Sequence, residues 1–304
     1  MLRGLHGGIR SVLQSTQGPA ELRALLSKED LLIAPGVYDG LSARIAEAVG
    51  SAALYISGGA IARSMGYPDV GLVTLTEMQK RLEEIRAVTT LPLIADADTG
   101  YGNAINVIRT VRAYERAGAA ALHIEDQIEP KRCGHYEGNQ VVSVTDMVQK
   151  IQAAVEARGK SDLVIIARTD ARAVLGLDAA IERGNAYAEA GADVIFVEAP
   201  QSVEEIERIA HEVTAPLLIN MFWGGKTPLV PAEQLAALGY RIMVVPSDLQ
   251  RAAIRAMQRA ATEIRTHGNT EAIADDIVSF SEREEIIGLP EIQELQQRFL
   301  KDDA

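Results

Sequence analysis

Eight short apolar, β-branched runs recur along the chain, at 31–35, 52–57, 92–96, 120–125, 163–168, 193–198, 216–220 and 240–246. Between them lie segments with apolar residues at helical spacing, such as Leu41, Ile45, Ala48 and Val107, Val111, Tyr114. Three of these segments run into a glycine just before the next apolar run, at Gly118, Gly191 and Gly239. Glycine there supplies the left-handed turn that ends a helix. Strict β–α alternation with near-continuously apolar strands predicts a parallel sheet covered by helices. Eight such units close into a TIM-type (β/α)8 barrel. An open doubly wound sheet would carry a glycine-rich phosphate loop after the first strand, and none is present. The length of 304 residues suits one barrel, and 47% hydrophobic residues supply a full core. The expectation is one barrel domain over 1–304, with 249–304 forming a C-terminal helical extension.

Two connections stand out as long loops, 58–74 and 126–143, and long loops in compact domains are usually functional. After the eighth run, a helix at about 249–267 leads through Gly268-Asn269-Thr270 into an amphipathic segment, 282–300. That segment exceeds what a barrel needs and is expected to pack on another subunit. The first 20 residues contain Arg3 and Arg10 but no acid, faintly like a transit peptide; a frayed terminus is the preferred reading. A net charge of −12 argues against nucleic-acid or anionic-membrane partners. No apolar run approaches the roughly 20 residues of a membrane span. One cysteine, Cys133, excludes an intrachain disulfide and suits a reducing, cytoplasmic compartment.

In a barrel, residues at the C-terminal strand ends form the active site. Polar residues collect at those ends here: Tyr38, Ser57, Asp96, Asp98, Glu125, Arg168, Glu198 and Asn220. A single acid at a strand end reads equally well as a helix cap. Most strands ending this way at once is poorly explained by capping. Asp96 and Asp98, two apart in an extended segment, should share a face, as should His123 and Glu125. Carboxylates converging on one mouth call for a cation. Oxygen ligands without a His/Cys cluster favour Mg2+, with Mn2+ as the alternative. His123 alone reads as a satisfied core histidine. In the second loop, Lys131, Arg132 and His135 flank Cys133, which predicts a thiol pKa lowered toward neutral and a proton donor on a lid. Arg168 suits a bidentate clamp on a substrate carboxylate, with Lys226 and Thr227 presented to a second one.

Together, 96–102 (Asp-Ala-Asp-Thr-Gly-Tyr-Gly), Ile124-Glu125-Asp126-Gln127, Lys131-Arg132-Cys133-Gly134-His135 and Ala167-Arg168-Thr169-Asp170 resemble the isocitrate lyase/phosphoenolpyruvate mutase superfamily over nearly the whole chain. The cysteine loop is similar to its carbon–carbon lyases, the 2-methylisocitrate and 2,3-dimethylmalate lyases. The resemblance implies Asp96 as direct Mg2+ ligand, with Asp98, Glu125 and Asp69 acting through water. It implies that Tyr38, Ser57, Gly58 and Gly59 hold the substrate's oxo or alkoxide end, and that Arg168, Glu198 and Asn220 position carboxylates. Cys133 becomes the acid, with His135 beside it; Lys131, Arg132, Gly134, Thr227 and Pro246 are expected in substrate binding. The implied reaction is cleavage of a small 2-hydroxy (2-alkyl) dicarboxylate, such as 2-methylisocitrate or 2,3-dimethylmalate, to pyruvate and a second acid. The implied assembly is a homotetramer exchanging C-terminal helices. Segment 220–228 also resembles carboxyphosphonoenolpyruvate phosphonomutases, which leaves P–C bond formation as the alternative. Pro246 stands where oxaloacetate-hydrolysing relatives tend to carry serine, which disfavours hydrolysis. Phe222-Trp223 departs from the family pattern and leaves the substrate side chain open.

Overall fold

The computed structural model of the protein describes residues 18–300. The expected features of residues 1–17 lie outside them. Strands β1 (Leu32–Val37), β2 (Leu54–Ile56), β3 (Leu93–Asp96), β4 (Ala121–Glu125), β5 (Val164–Thr169), β6 (Val194–Val197), β7 (Leu217–Asn220) and β8 (Tyr240–Val245) pair in parallel, each with the next in sequence. The pairing of β8 with β1 closes the barrel. Every expected strand is present, and every boundary lies within two residues of its expected position.

Helices α1 (Pro19–Leu26), α2 (Gly40–Ala48), α3 (Gly58–Ser64), α4 (Leu75–Arg86), α5 (Ala104–Arg116), α6 (Val144–Arg158), α7 (Ala171–Leu175), α8 (Leu177–Glu189), α9 (Val203–Glu212) and α10 (Ala232–Ala237) accompany the barrel. After β8 come α11 (Asp248–His267), a 3-10 turn (Glu271–Asp276), α12 (Phe280–Ile286) and α13 (Leu289–Phe299).

The strand alternation divides the core in two. Outward residues such as Leu122, Ile124, Ile165 and Ala167 pack with the helices. Inward residues such as Ile94, Ala121, Ile166, Phe196 and Val244 fill the barrel. Helix α1 plugs the N-terminal end: Leu22 joins the inner cluster, and Arg23 binds the Asp162 carbonyl and Asp193. At β1, Gly36 is the residue that lets the barrel close, because a Cβ there would overlap the backbone of Pro246.

Three expectations need correction and one is made more definite. The connection 58–74 is not all loop: Ser57 accepts from the Ala60 amide and caps α3, whose Ala60, Ile61 and Ala62 are buried. The amphipathic segment 282–300 consists of two helices, separated at Gly288 in the left-handed region (φ 81°) just before Leu289-Pro290. In α2 the buried residues are Ser42, Ala43 and Ala46, whereas Leu41 and Ile45 face outward. Finally, β3 stops at Asp96 and Asp98 has φ 47°, so extended alternation does not carry both acids to one face.

Candidate active site

The inward positions that are apolar deep in the barrel become polar at its C-terminal mouth. Parallel register aligns them side by side: Asp96 lies beside His123, and Glu125 beside Arg168. Asp96, His123 and Glu125 each offer a ligand atom, all within 4.8 Å of one another and all buried. Tyr55 Oη lies 2.7 Å from His123 Nε2, whose distance to Asp96 Oδ1 is 3.5 Å. Burial pulls the His123 pKa down to about 4, with Asp96 opposing, so the ring is neutral at pH 7. The expectation of a satisfied histidine fails, because Nδ1 has no partner. Glu125 Oε1, Glu198 Oε2 and Asn220 Oδ1 are likewise buried without hydrogen bonds. Such orphaned atoms grouped at one mouth are what a bound cation and the O–H groups of its water or of a hydroxylated ligand would satisfy. Two carboxylates and one neutral imidazole fit a divalent metal.

Asp69 and Asp98 lie outside that triad. Lys131 Nζ sits between them, 2.6 Å from Asp69 Oδ1 and 2.8 Å from Asp98 Oδ1. An internal ammonium therefore neutralises two acids of the expected outer ring. Gly58 adjoins the triad instead: its N–H donates to Asp96 Oδ2 at 3.2 Å, and a Cβ there would lie 2.6 Å from that oxygen.

A cavity of about 370 Å3 opens at Asp96 of the triad. Ser57, Gly59, Asp69 and Asp96 line one side, and Lys131 to His135 cover it. Arg168, Glu198, Asn220 and Pro246 complete the wall. Tyr38, Gly58, Asp98, Glu125 and Thr227 are not among its lining residues. Tyr38 packs against the outer core, and Lys226 Nζ reaches the Tyr136 carbonyl (3.4 Å) rather than the cavity. The Lys226 amide donates to His135 Nδ1 at 3.0 Å, and His135 Nε2 lies 3.0 Å from Glu198 Oε1. Burial pushes Glu198 up, but Arg168 and His135 outweigh it and hold its carboxyl down at about 2.

The two remaining chemical groups depart from expectation. Arg168 makes its bidentate contact with Asp170, Nε to Oδ2 and Nη2 to Oδ1 both at 2.9 Å, while stacking on Phe196. The Cys133 thiol pKa is raised, not lowered: burial dominates and Asp69 adds to it, while Arg168 only partly offsets them. The nearby His135 backbone also lowers it, but too little to offset burial, and the Lys131 ammonium is committed to Asp69 and Asp98.

A family model for phosphoenolpyruvate phosphomutase matches residues 22–265. The 2,3-dimethylmalate lyase of Eubacterium barkeri is 45% identical over 92% of this chain and 97% of its own. The chain belongs to the phosphoenolpyruvate mutase/isocitrate lyase superfamily. Within it, the 2-methylisocitrate lyase of Aeropyrum pernix is 48% identical over 88% of this chain and 86% of its own. The solved structure of an oxaloacetate acetylhydrolase in complex with the inhibitor 3,3-difluorooxalacetate superposes with a TM-score of 0.89 at 38% identity, covering 94% of this chain and 98% of that one. Against this superfamily background, the site residues that sequence reasoning missed include Tyr55, Arg63 and Tyr136, which line the cavity, and the buried Gln127. Tyr55 lies on β2 two residues before Ser57, which immediately follows the strand; that spacing was the available signal.

Proposed function

We propose that the protein is a Mg2+-dependent carbon–carbon lyase that cleaves a small 2-hydroxy-2-alkyl acid, such as 2-methylisocitrate or 2,3-dimethylmalate, to pyruvate and a second carboxylic acid. The observation that carries this reading is the Cys133 thiol, its pKa raised by burial, on a loop that lines the same cavity as Asp96 and Arg168. Asp96, His123 and Glu125 would hold the metal, with Mn2+ as a substitute. A divalent cation bound there supplies fixed positive charge facing the substrate's developing oxyanion. Arg168, held by Asp170, stands ready with its remaining N–H groups for a substrate carboxylate. When a carboxylate at the mouth takes the hydroxyl proton and the bond between C2 and C3 breaks, the hydroxyl carbon becomes the ketone of pyruvate, and the bonding electrons leave the other fragment as an enediolate. Cys133 gives its proton to that carbon, and the raised thiol pKa keeps the proton available at neutral pH. The covering loop excludes water that would otherwise quench the intermediate. Exposed apolar residues on α11 to α13 support a homotetramer built through these helices, with exchange of helices between subunits.

The test is a Mg2+-supplemented panel of 2,3-dimethylmalate, 2-methylisocitrate, isocitrate, oxaloacetate and phosphonopyruvate, read as 2-oxo acid formed. A positive alkylmalate or methylisocitrate well, lost in Cys133→Ala while substrate binding persists, is the expected result. Turnover of phosphonopyruvate or oxaloacetate alone would transfer the protein to the mutase or hydrolase branch.

A further inference from the structure

Gln127 follows the strand-end acid Glu125 by two positions and is buried. Its amide makes three hydrogen bonds. Oε1 accepts from the Arg132 N–H at 3.0 Å, while Nε2 donates to the Arg132 carbonyl at 2.8 Å and to Asp170 Oδ1 at 3.1 Å. The pair with Arg132 copies the pattern of a neighbouring strand, so the backbone just before Cys133 is held as if in a sheet. Asp170 Oδ1 also accepts from Arg168 Nη2. One primary amide therefore joins the loop that carries the thiol to the carboxylate that holds the guanidinium.

The fit around that joint is tight. A Cβ on Gly134 would lie 2.5 Å from Arg168 Nη2 and 2.8 Å from Asp170 Oδ1, so the loop backbone is seated on the clamp itself. Asp170 is fixed from below as well. Its N–H donates to Asp126 Oδ1 at 2.9 Å, and Asp126 Oδ2 accepts from Thr169, Arg183 and Tyr187. Only a side chain that both donates twice and accepts can satisfy a carbonyl, an N–H and a carboxylate at once. A carboxylate at 127 would face Asp170 with no proton to offer.

We propose that Gln127 is a positioning residue that sets the Cys133 loop in register with the Arg168–Asp170 clamp, so that thiol and guanidinium meet the substrate together. The kinetic part of the test rests on the lyase reading; the labelling part does not. Two variants separate docking from packing. Gln127→Glu is isosteric and keeps the acceptor, whereas Gln127→Met fills similar volume with no hydrogen bond. Cys133 is the chain's single cysteine, so iodoacetamide reports its exposure directly in the full-length protein. For variants that retain a wild-type melting transition, labelling should accelerate about tenfold or more, and kcat should fall about 10–100-fold with a smaller change in KM, as for other residues that orient reacting groups. Labelling within twofold of wild type in a folded variant overturns the proposal, whatever the substrate proves to be. Accelerated labelling in Gln127→Glu with wild-type behaviour in Gln127→Met would also overturn it, since volume alone would then suffice. A variant that fails to fold leaves the decision to the other. If neither folds, a role confined to positioning is overturned.

Discussion

The Asp98 carboxyl is pushed up to about 6, by burial above all, with Lys131 partly offsetting and Asp96 adding to the rise. Asp170 is raised to about 6 as well, by burial against the pull of Arg168. A folded pKa above the unfolded one means these groups stabilise the fold only while protonated. That contribution is complete below the ordinary carboxylate range and is lost as pH rises through about 6. Glu198 runs the other way: depressed to about 2, it stabilises above the ordinary range and fails only toward pH 2. A divalent cation beside Asp96 competes with the protons held in this acid cluster. Adding Mg2+ to the metal-free protein should therefore raise Tm more at pH 7.5 than at pH 5. An equal Tm increment at both pH values would exclude the acid mouth as the binding place. At this scale the sequence misled at Cys133, which is buried and whose neighbour Lys131 is engaged by Asp69 and Asp98, and at His123, whose Nδ1 is left unpaired among neighbours from other strands.

The barrel's elements were legible because parallel strands buried on both faces leave near-continuous apolar runs, and Gly118 (φ 90°) marks a helix end as expected. Helix α3 was not legible. Gly58-Gly59 has poor helix propensity, and α3 forms because Ser57 caps it and Ile61 is buried. Gly36 likewise shows no sequence signal, since the atoms it must avoid belong to Pro246, which follows β8 and is distant in sequence. Gly36→Ala should force β1 and β8 apart and destabilise the protein by about 1–3 kcal/mol. Thermal unfolding tests this, and an unchanged Tm would show that the closure tolerates a methyl group. Displacement of Pro246 in the same variant should raise KM, because Pro246 lines the cavity.

Across the described residues, exposed apolar side chains include those of the C-terminal helices and of α2. Helices α11 to α13 expose Met257 (60%), Phe280 (73%) and Phe299 (66%), and α2 exposes Leu41, Ile45 and Val49. The two regions meet, since Gly288 packs against Arg44 of α2. Exposed apolar surface on this scale suits a subunit interface. Phe280→Glu should shift the protein toward monomer in sedimentation at matched concentration, while leaving the barrel's helical signal unchanged. A monomeric wild type would remove the basis of the prediction. None of the described helices is long and apolar enough to cross a membrane. The sequence by itself determined the eightfold alternation, the strand ends that carry the polar residues and the superfamily motifs, because each depends on local spacing and residue type. Which acids face a metal, which are neutralised by Lys131, where the Cys133 pKa lies and what Arg168 clamps were decided only by the tertiary structure. Those properties are sums over charges and burial brought together from different strands, and no spacing along the chain encodes them.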